Sequence, residues 1–149
     1  MMKILVINGP NLNMLGIREP THYGRESYRD LVRKIKRYAR SVGVRVSFYQ
    51  SNHEGRLIDC IQRAYRRYDG LVCNPGGYTH TSVALADAVR AVSLPCVEVH
   101  ISHVDAREEY RKISYIREAC IGVVSGQGTD GYLAAIDQLL AHGRKEVEA

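Results

Sequence analysis

The chain has 149 residues, of which 45% are hydrophobic and 25% are charged, a balance typical of a soluble globular protein. This length suits one domain with a proper hydrophobic core. No apolar run reaches the ~20 residues that a membrane helix needs. The N-terminal Met-Met-Lys leads directly into a predicted strand without a signal-peptide pattern, so we expect one cytoplasmic domain over residues 1–149.

The charge and the cysteines point to no particular partner. A net charge of +5 suits nucleic acid or an anionic small substrate, but most of the arginines and lysines fall on predicted helix faces that point to solvent. Nucleic-acid binding therefore stays a less favoured alternative. The four cysteines form no C-x-x-C pair and lie in apolar or amphipathic segments, so neither a metal site nor a disulfide framework is expected.

Five apolar runs rich in β-branched residues alternate with helical patterns along the chain. Strands are predicted at Ile4–Ile7, Val44–Tyr49, Leu71–Cys73, Cys96–Ile101 and Ile121–Val124. Helices are predicted from Tyr28, from Leu57, from Ser82 and after Asp130, and the charged tail after Gly143 is expected to fray. This alternation predicts an α/β protein, a flavodoxin-like three-layer sandwich with a parallel sheet of order 2-1-3-4-5.

In that architecture ligands bind beyond the carboxyl ends of the strands, near the switch between strands one and three. The loops at this edge span residues 8–24, 74–81 and 100–102. The first is unusually long for a connection without periodicity, and it carries three asparagines together with Arg18 and Tyr23. We interpret it as an active-site loop with a mobile second half.

The other two loops supply an acid and further polar groups. Glu98 and His100 are two residues apart on a predicted strand, so they project to the same face. A carboxylate beside an imidazole fixes its tautomer, which suits a general acid. In the loop after strand three, the turn residues Pro75 to Gly77 leave Asn74 and His80 directed toward the crevice.

Two further patterns allow alternative interpretations. Glu98, His100 and His103 have a spacing that metal ligands also show, although no second ligand cluster accompanies them. The segment 126–131 reads G-x-G-x-x-G and follows a predicted strand, as in dinucleotide-binding proteins. It follows the last strand rather than the first, however, so glycines for a tight turn and close helix packing are the favoured interpretation.

Together these motifs resemble the type II 3-dehydroquinate dehydratases. In family order, between Lys3 and about Leu140, the matching segments are I-N-G-P-N-L-N-M-L-G-I-R-E-P-x-x-Y-G, Q-S-N-H-E-G, N-P-G-G-Y-T-H-T-S-V-A-L, V-E-V-H-I-S, R-E-x-Y-R-x-x-S and G-x-G-x-x-G-Y. The resemblance implies a lyase of the shikimate or quinate pathway that converts 3-dehydroquinate to 3-dehydroshikimate. It implies anti elimination through an enolate, without metal or organic cofactor.

The resemblance also implies catalytic roles for five residues. Tyr23 matches the base that removes the proton next to the ketone, and Arg18 matches the residue that supports its phenolate. His100 matches the general acid that protonates the departing hydroxyl, with Glu98 as its orienting partner. Asn11 resembles the residue that stabilises the enolate oxygen through a bound water.

Five other positions match residues that bind substrate. Those of Asn74, His80 and Arg111 bind ring hydroxyls, and those of Ile101 and Ser102 hold the carboxylate, largely through backbone N–H groups. No lysine lies in the crevice segments, so a Schiff-base mechanism has no candidate there.

The family typically assembles as a dodecamer of four trimers, and we expect the same homo-oligomer here, with no membrane or nucleic-acid partner. Asp87, on the alanine-rich third helix, matches a residue that enters the site of a neighbouring subunit.

The chain departs from the family pattern at His103, where asparagine is usual, and at Arg117 and Glu118, in a segment that is normally less charged. We expect His103 to alter affinity or pH dependence, and the charged pair to alter a subunit contact.

Overall fold

A parallel sheet of five strands runs through the residues that the computed structural model describes, 1–17 and 19–148. Its strands are β1 (Lys3–Asn8), β2 (Arg45–Gln50), β3 (Gly70–Asn74), β4 (Cys96–His100) and β5 (Gly122–Ser125). The order is β2-β1-β3-β4-β5 and every neighbouring pair is parallel. The predicted flavodoxin-like topology is confirmed, and each predicted strand end lies within one residue of the observed one.

Helices connect the strands and cover both faces of the sheet. They are α1 (Pro20–Tyr23), α2 (Tyr28–Ser41), α3 (Glu54–Arg63), α4 (Val83–Val92) and α5 (Gly131–Glu148). Single turns of 3-10 helix lie at Leu12–Met14, Gly76–His80, Val104–Ala106, Glu109–Lys112, Arg117–Ala119 and Gly128–Asp130. No helix in the described residues is long and apolar enough to cross a membrane.

Alternate residues of each inner strand fill two separate cores. Ile4 and Val6 of β1 pack with residues of α2 and α5, whereas Leu5 and Ile7 pack with residues of α3 and α4. This division follows from the two-residue period of a strand. Because helices cover both faces of the sheet, the inner strands are apolar along most of their length. Polar residues occur mainly at their carboxyl ends.

Helix α5 continues through Gly143 to Glu148, so the prediction of a frayed tail after Gly143 is wrong. The side chain of Met2 packs where a Cβ of residue 143 would lie, 2.9 Å from that position. Residue 143 therefore packs against the N-terminus of the chain, whereas residues 144–148 are exposed. His142 and Glu146, one helical turn apart, add a hydrogen bond of 3.1 Å.

Candidate active site

The carboxyl ends of β1, β3 and β4 surround a small cavity of about 80 Å³. Its lining includes most of the residues that the sequence nominates: Asn11, Tyr23, Asn74, His80, His100, Ile101, Ser102 and Arg111. The cavity therefore lies where a doubly wound sheet places its ligands, at the switch between strands one and three.

Glu98 lies directly behind His100 and is fully buried. Nε2 of His100 donates a short hydrogen bond to Oε2 of Glu98. Ser114 Oγ donates to the same oxygen at 2.9 Å, and Arg117 donates to both carboxylate oxygens at 3.2 and 3.3 Å. Burial acts to raise the pKa of the Glu98 carboxyl, but the hydrogen bonds from His100 and Arg117 outweigh it, so the pKa lies below its usual value.

This arrangement fixes the tautomer of His100. Because Glu98 is an anion that accepts the proton of Nε2, the other ring nitrogen, Nδ1, is the one available to a ligand in the cavity. No described protein group hydrogen-bonds to Nδ1. The predicted pairing of a carboxylate with an imidazole on one strand face is confirmed as a geometric arrangement.

Tyr23, at the end of α1, is held by an arginine that the sequence analysis did not select. Nη1 of Arg107 donates to the Tyr23 phenol oxygen at 2.6 Å, and the Arg107 guanidinium carbon lies 5.4 Å from the centre of the ring. The Arg107 side chain is only 7% exposed. It also reaches Ser102 Oγ at 3.5 Å and Glu19 Oε2 at 3.4 Å. A buried cation therefore faces the atom that would carry the charge of a phenolate.

Arg107 has one more donor in this region. Its Nε is buried and has no hydrogen-bond partner among the described residues, although Glu108 Oε2 lies 3.7 Å away. The motif R-E-x-Y-R contains both Arg107 and Arg111, four positions apart, so the sequence does point to this segment. Of the two arginines, only Arg111 was predicted to lie in the site.

Asn74 belongs to a buried network that joins the ends of β1 and β3. Its Nδ2 donates to the hydroxyl of Tyr132 at 3.0 Å, and its Oδ1 accepts from the backbone of Gly76 at 3.1 Å. The Tyr132 hydroxyl donates in turn to Asn8 Oδ1 at 2.6 Å. Burial raises the pKa of the Tyr132 phenol far above its usual value, so this group stays a neutral donor.

His80 and Arg111 lie at the mouth of the cavity. Nδ1 of His80 donates to the carbonyl of Ile113 at 2.6 Å, which leaves Nε2 as the nitrogen able to accept a hydrogen bond from a ligand. Partial burial lowers the pKa of His80, and the nearby Arg111 lowers it further. Nε of Arg111 donates to Glu108 Oε2 at 2.7 Å.

Asn11 adopts a left-handed backbone conformation, with φ of 71°, immediately before the turn Leu12–Met14. Asparagine is among the few residues besides glycine that adopt it readily. Its backbone N–H donates to Asn52 Oδ1 at 3.0 Å, which ties the start of the long first loop to the end of β2. This contact fixes the position of Asn11 at the edge of the cavity.

Among the described nominated residues, Glu98 and Asp87 do not line this cavity, and Glu98 lies behind His100. Asp87, on α4, has a side chain that is 69% exposed and pairs with Arg90 at 3.5 Å. Its role as a residue donated to a neighbouring subunit stays a prediction. Arg18, the predicted partner of Tyr23, lies outside the described residues, so its role also stays a prediction.

The charged departures from the family pattern have contacts within the chain. Arg117 binds the buried Glu98, and Glu118 lies 3.8 Å from Arg90. Arg117 thus has a partner within its own chain. The subunit contact that we predicted for Arg117 and Glu118 stays a prediction. The ring of His103 is exposed and packs against Gly126, where a Cβ would lie 2.8 Å from His103 Cδ2.

The structure supports the tight-turn interpretation of G-x-G-x-x-G. The Gly126 N–H donates to the carbonyls of Ser102 and His100 at 3.1 and 3.3 Å, and the Gly128 N–H donates to the carbonyl of Ile101 at 3.1 Å. These amides are therefore engaged in the fold and cannot receive a pyrophosphate. Among the described residues, no group of three or more His, Cys, Asp or Glu side chains has an arrangement suited to a metal ion.

Comparison with known proteins identifies the family. A family model described as dehydroquinase class II matches residues 2–140. A 3-dehydroquinate dehydratase of Fusobacterium nucleatum is 52% identical over 147 residues, covering 97% of this chain and 100% of the relative. The crystal structure of a type II dehydroquinase from Butyrivibrio crossotus is similar with a TM-score of 0.91 and 56% identity, covering 93% of this chain and 97% of that one. One from Propionibacterium acnes gives 0.90 and 39%, covering 93% and 96%. The chain therefore belongs to the class II dehydroquinase family.

Proposed function

We propose that this protein is a hydro-lyase that dehydrates 3-dehydroquinate to 3-dehydroshikimate through an enolate. Membership of the family and the name shared by its relatives support this reaction. One observation carries the proposal. A single cavity presents a tyrosine under a buried arginine and a histidine backed by a buried carboxylate, which is the pairing of base and acid that an elimination requires.

Tyr23 acts as the base. A free phenol loses its proton only near pH ~10, so a phenolate at neutral pH needs a cation beside it. Arg107 is such a cation, since its guanidinium donates directly to the phenol oxygen and is nearly buried. Arg18 is proposed to add to the same effect. The phenolate then takes the proton from the carbon next to the ketone, and the electron pair moves onto the ketone oxygen.

Asn11 stabilises the resulting enolate oxygen through a water molecule. His100 completes the elimination by giving a proton from Nδ1 to the hydroxyl, which leaves as water while the enolate collapses to the conjugated enone. Glu98 holds the ring in the required tautomer and stabilises the protonated imidazole before transfer. The base comes from the first loop and the acid from the end of β4, so the two groups reach the substrate from different elements.

The remaining cavity residues bind the substrate. Backbone N–H groups of Ile101 and Ser102 hold the carboxylate, and His80, Asn74 and Arg111 contact the ring hydroxyls. A cavity of about 80 Å³ is much smaller than the ~300 Å³ or more of typical small-molecule pockets. Substrate entry therefore requires the first loop, which carries Tyr23, to move outward and to close again over the bound ring.

We further propose a cytoplasmic homo-oligomer, a dodecamer of four trimers, in which Asp87 reaches a neighbouring site. Large apolar side chains in the segment after β4 and at the edge strand β5 support an interface. They are at least 39% exposed and include Tyr110, Ile113, Tyr115, Ile121 and Val123. Light scattering after gel filtration measures the mass, and a monomer that is fully active would contradict the role of Asp87.

The reaction is tested by following the ultraviolet absorbance of the enone when purified protein is mixed with 3-dehydroquinate. We expect turnover that resists both EDTA and borohydride, because the proposed steps use neither a metal nor a lysine Schiff base. Tyr23→Phe and His100→Ala should each abolish turnover while the protein stays folded. Absence of turnover by well-folded wild type, or near-normal turnover by either variant, would overturn the proposal.

A further inference from the structure

The glycine-rich turn, residues 126–131, has no role in the mechanism above. It nevertheless contacts both the strand end that carries His100 and the segment that follows Tyr23. Toward β4, backbone donors of this turn bind the carbonyls of His100, Ile101 and Ser102, as described. Ser125 Oγ, just before the turn, adds a hydrogen bond of 3.2 Å to the carbonyl of Ser102. The turn thus fixes the backbone that carries the proposed acid and the proposed carboxylate-binding residues.

On its other side the turn binds the lid stem, residues 24–27, which joins Tyr23 to helix α2. Thr129 Oγ1 donates to Glu26 Oε1 at 2.7 Å and accepts from Lys34 Nζ at 2.8 Å. Lys34 Nζ also pairs with Glu26 at 3.3 Å and with Asp130 at 2.9 Å. Thr129 is only 4% exposed, so its hydroxyl is a buried link between the carboxylate and the ammonium group.

The position of the lid stem controls that of Tyr23 because only two residues separate Tyr23 from Glu26. One of them is Gly24, which has φ of +74° and open space where a Cβ would be, so the protein does not hold this residue by packing. At the end of the stem, the capping box of Ser27 and Asp30 fixes the start of α2. Glu26 is therefore the first side chain after Tyr23 that anchors the loop to the body of the protein.

We propose that Thr129 and Lys34 are positioning residues for the dehydration, because they fasten the base-bearing loop to the same turn that holds the acid-bearing strand end. This inference rests on the proposed function. Neither residue lines the cavity of about 80 Å³, so their effect is exerted through Glu26 and the lid stem. The glycine-rich turn thereby sets the relative placement of Tyr23 and His100.

The kinetic test compares Thr129→Val, which removes the hydroxyl at nearly constant shape, with Thr129→Ser, which keeps it. Since displacement of a reacting group by 1 Å can cost ~100-fold in rate, we expect kcat of Thr129→Val to fall by about tenfold or more, with a smaller change in KM. Thr129→Ser should restore most of the loss. Lys34→Met should resemble Thr129→Val, and Lys36→Met, an exposed lysine on the same helix, should match wild type.

A purely structural role would lower thermal stability without this change in kcat of the folded enzyme. A kcat of Thr129→Val within about twofold of wild type would overturn the proposal. The proposal would also be overturned if Thr129→Ser lost as much kcat as Thr129→Val, because the hydroxyl would then not be the group responsible.

A second readout does not depend on the reaction. Arg25 lies in the lid stem and is exposed, so the rate of trypsin cleavage after Arg25, followed by mass spectrometry, reports how firmly the stem is held. We expect faster cleavage in Thr129→Val and Lys34→Met than in wild type and Lys36→Met. Equal rates would contradict the anchoring role. If wild type had no dehydratase activity but these rates differed as expected, the proposed function would fail while the anchoring of the stem would stand.

Discussion

The phenol oxygen of Tyr23 lies 2.6 Å from Nη1 of Arg107, although 84 positions separate the two residues in the chain. The contact joins the first loop to the segment after β4, and it brings a buried cation to the group proposed as the base. Because the same guanidinium lies near Ser102, the base and the proposed carboxylate-binding residues share one neighbour. This relationship gives the mechanism its most direct mutational test.

Replacing Arg107 should slow the reaction more than it weakens substrate binding. Arg107→Met keeps an unbranched side chain but removes the donor to the Tyr23 oxygen, so we expect kcat to fall by about 100-fold. Steady-state assays with 3-dehydroquinate measure it, and Arg63→Met, at an exposed position on α3, serves as the matched control. An unchanged kcat in Arg107→Met would remove this residue from the support of the phenolate.

Glu98 should stabilise the fold in a pH-dependent way. Its native pKa lies below its usual value, so the stabilisation is present above the unfolded pKa, near ~4.3, and is lost as pH falls through the native pKa. Glu98→Gln does not titrate and should lower the free energy of unfolding by about 1–3 kcal/mol at pH 7. Urea unfolding of both proteins should show that the difference in free energy of unfolding between wild type and Glu98→Gln becomes smaller toward acid pH. A difference that stays constant below pH ~4 would contradict a lowered pKa of Glu98.

The hydroxyl of Tyr132 should matter although the residue lies outside the cavity. Tyr132→Phe leaves Asn8 Oδ1 and Asn74 Nδ2 without their partner in a buried network, so we expect a loss of about 1–3 kcal/mol in the free energy of unfolding. Turnover should fall as well, since Asn74 loses one of its two described anchors. Tyr65→Phe, at a side chain that is 51% exposed, should leave both quantities unchanged. Equal stability of the two variants would show that the network contributes little.

Two glycine substitutions should have opposite effects. A Cβ at Gly9 would lie 2.4 Å from the carbonyl oxygen of Pro75, so Gly9→Ala must push the loop after β3 away from β1. We expect a loss of about 1–3 kcal/mol, as for other overpacked positions, and reduced turnover. Gly55→Ala, in α3 with open space around it, should gain about 0.5–1 kcal/mol. Thermal unfolding compares the two, and a neutral Gly9→Ala would mean that these loops tolerate separation.

The sheet and most of the cavity could be predicted because their signals are local. Apolar runs and helical periodicity gave the five strands and their order, and strand alternation placed Glu98 and His100 on one face before any contact was known. The rule for the carboxyl edge of the sheet then selected the loops that carry Asn11, Asn74 and His80.

The partners of these residues could not be predicted from local patterns. Arg107 and Arg117 lie in irregular segments, and their contacts with Tyr23 and Glu98 depend on how single 3-10 turns fold after β4. The anchoring function of Thr129 depends on a contact across 103 positions with Glu26. Helix α5 continues to Glu148, beyond the predicted end, and Met2, at the other end of the chain, packs against Gly143 within it.

In the proposed anti elimination, a base on the first loop and an acid on β4 act on opposite faces of the substrate ring. The most direct test uses 3-dehydroquinate that carries deuterium at one of the two positions of the carbon next to the ketone, with the label in the product measured by NMR. We expect loss of the hydrogen that lies anti to the departing hydroxyl, and no loss in Tyr23→Phe. Loss of the syn hydrogen would contradict it, because the base and the acid would then act on the same face.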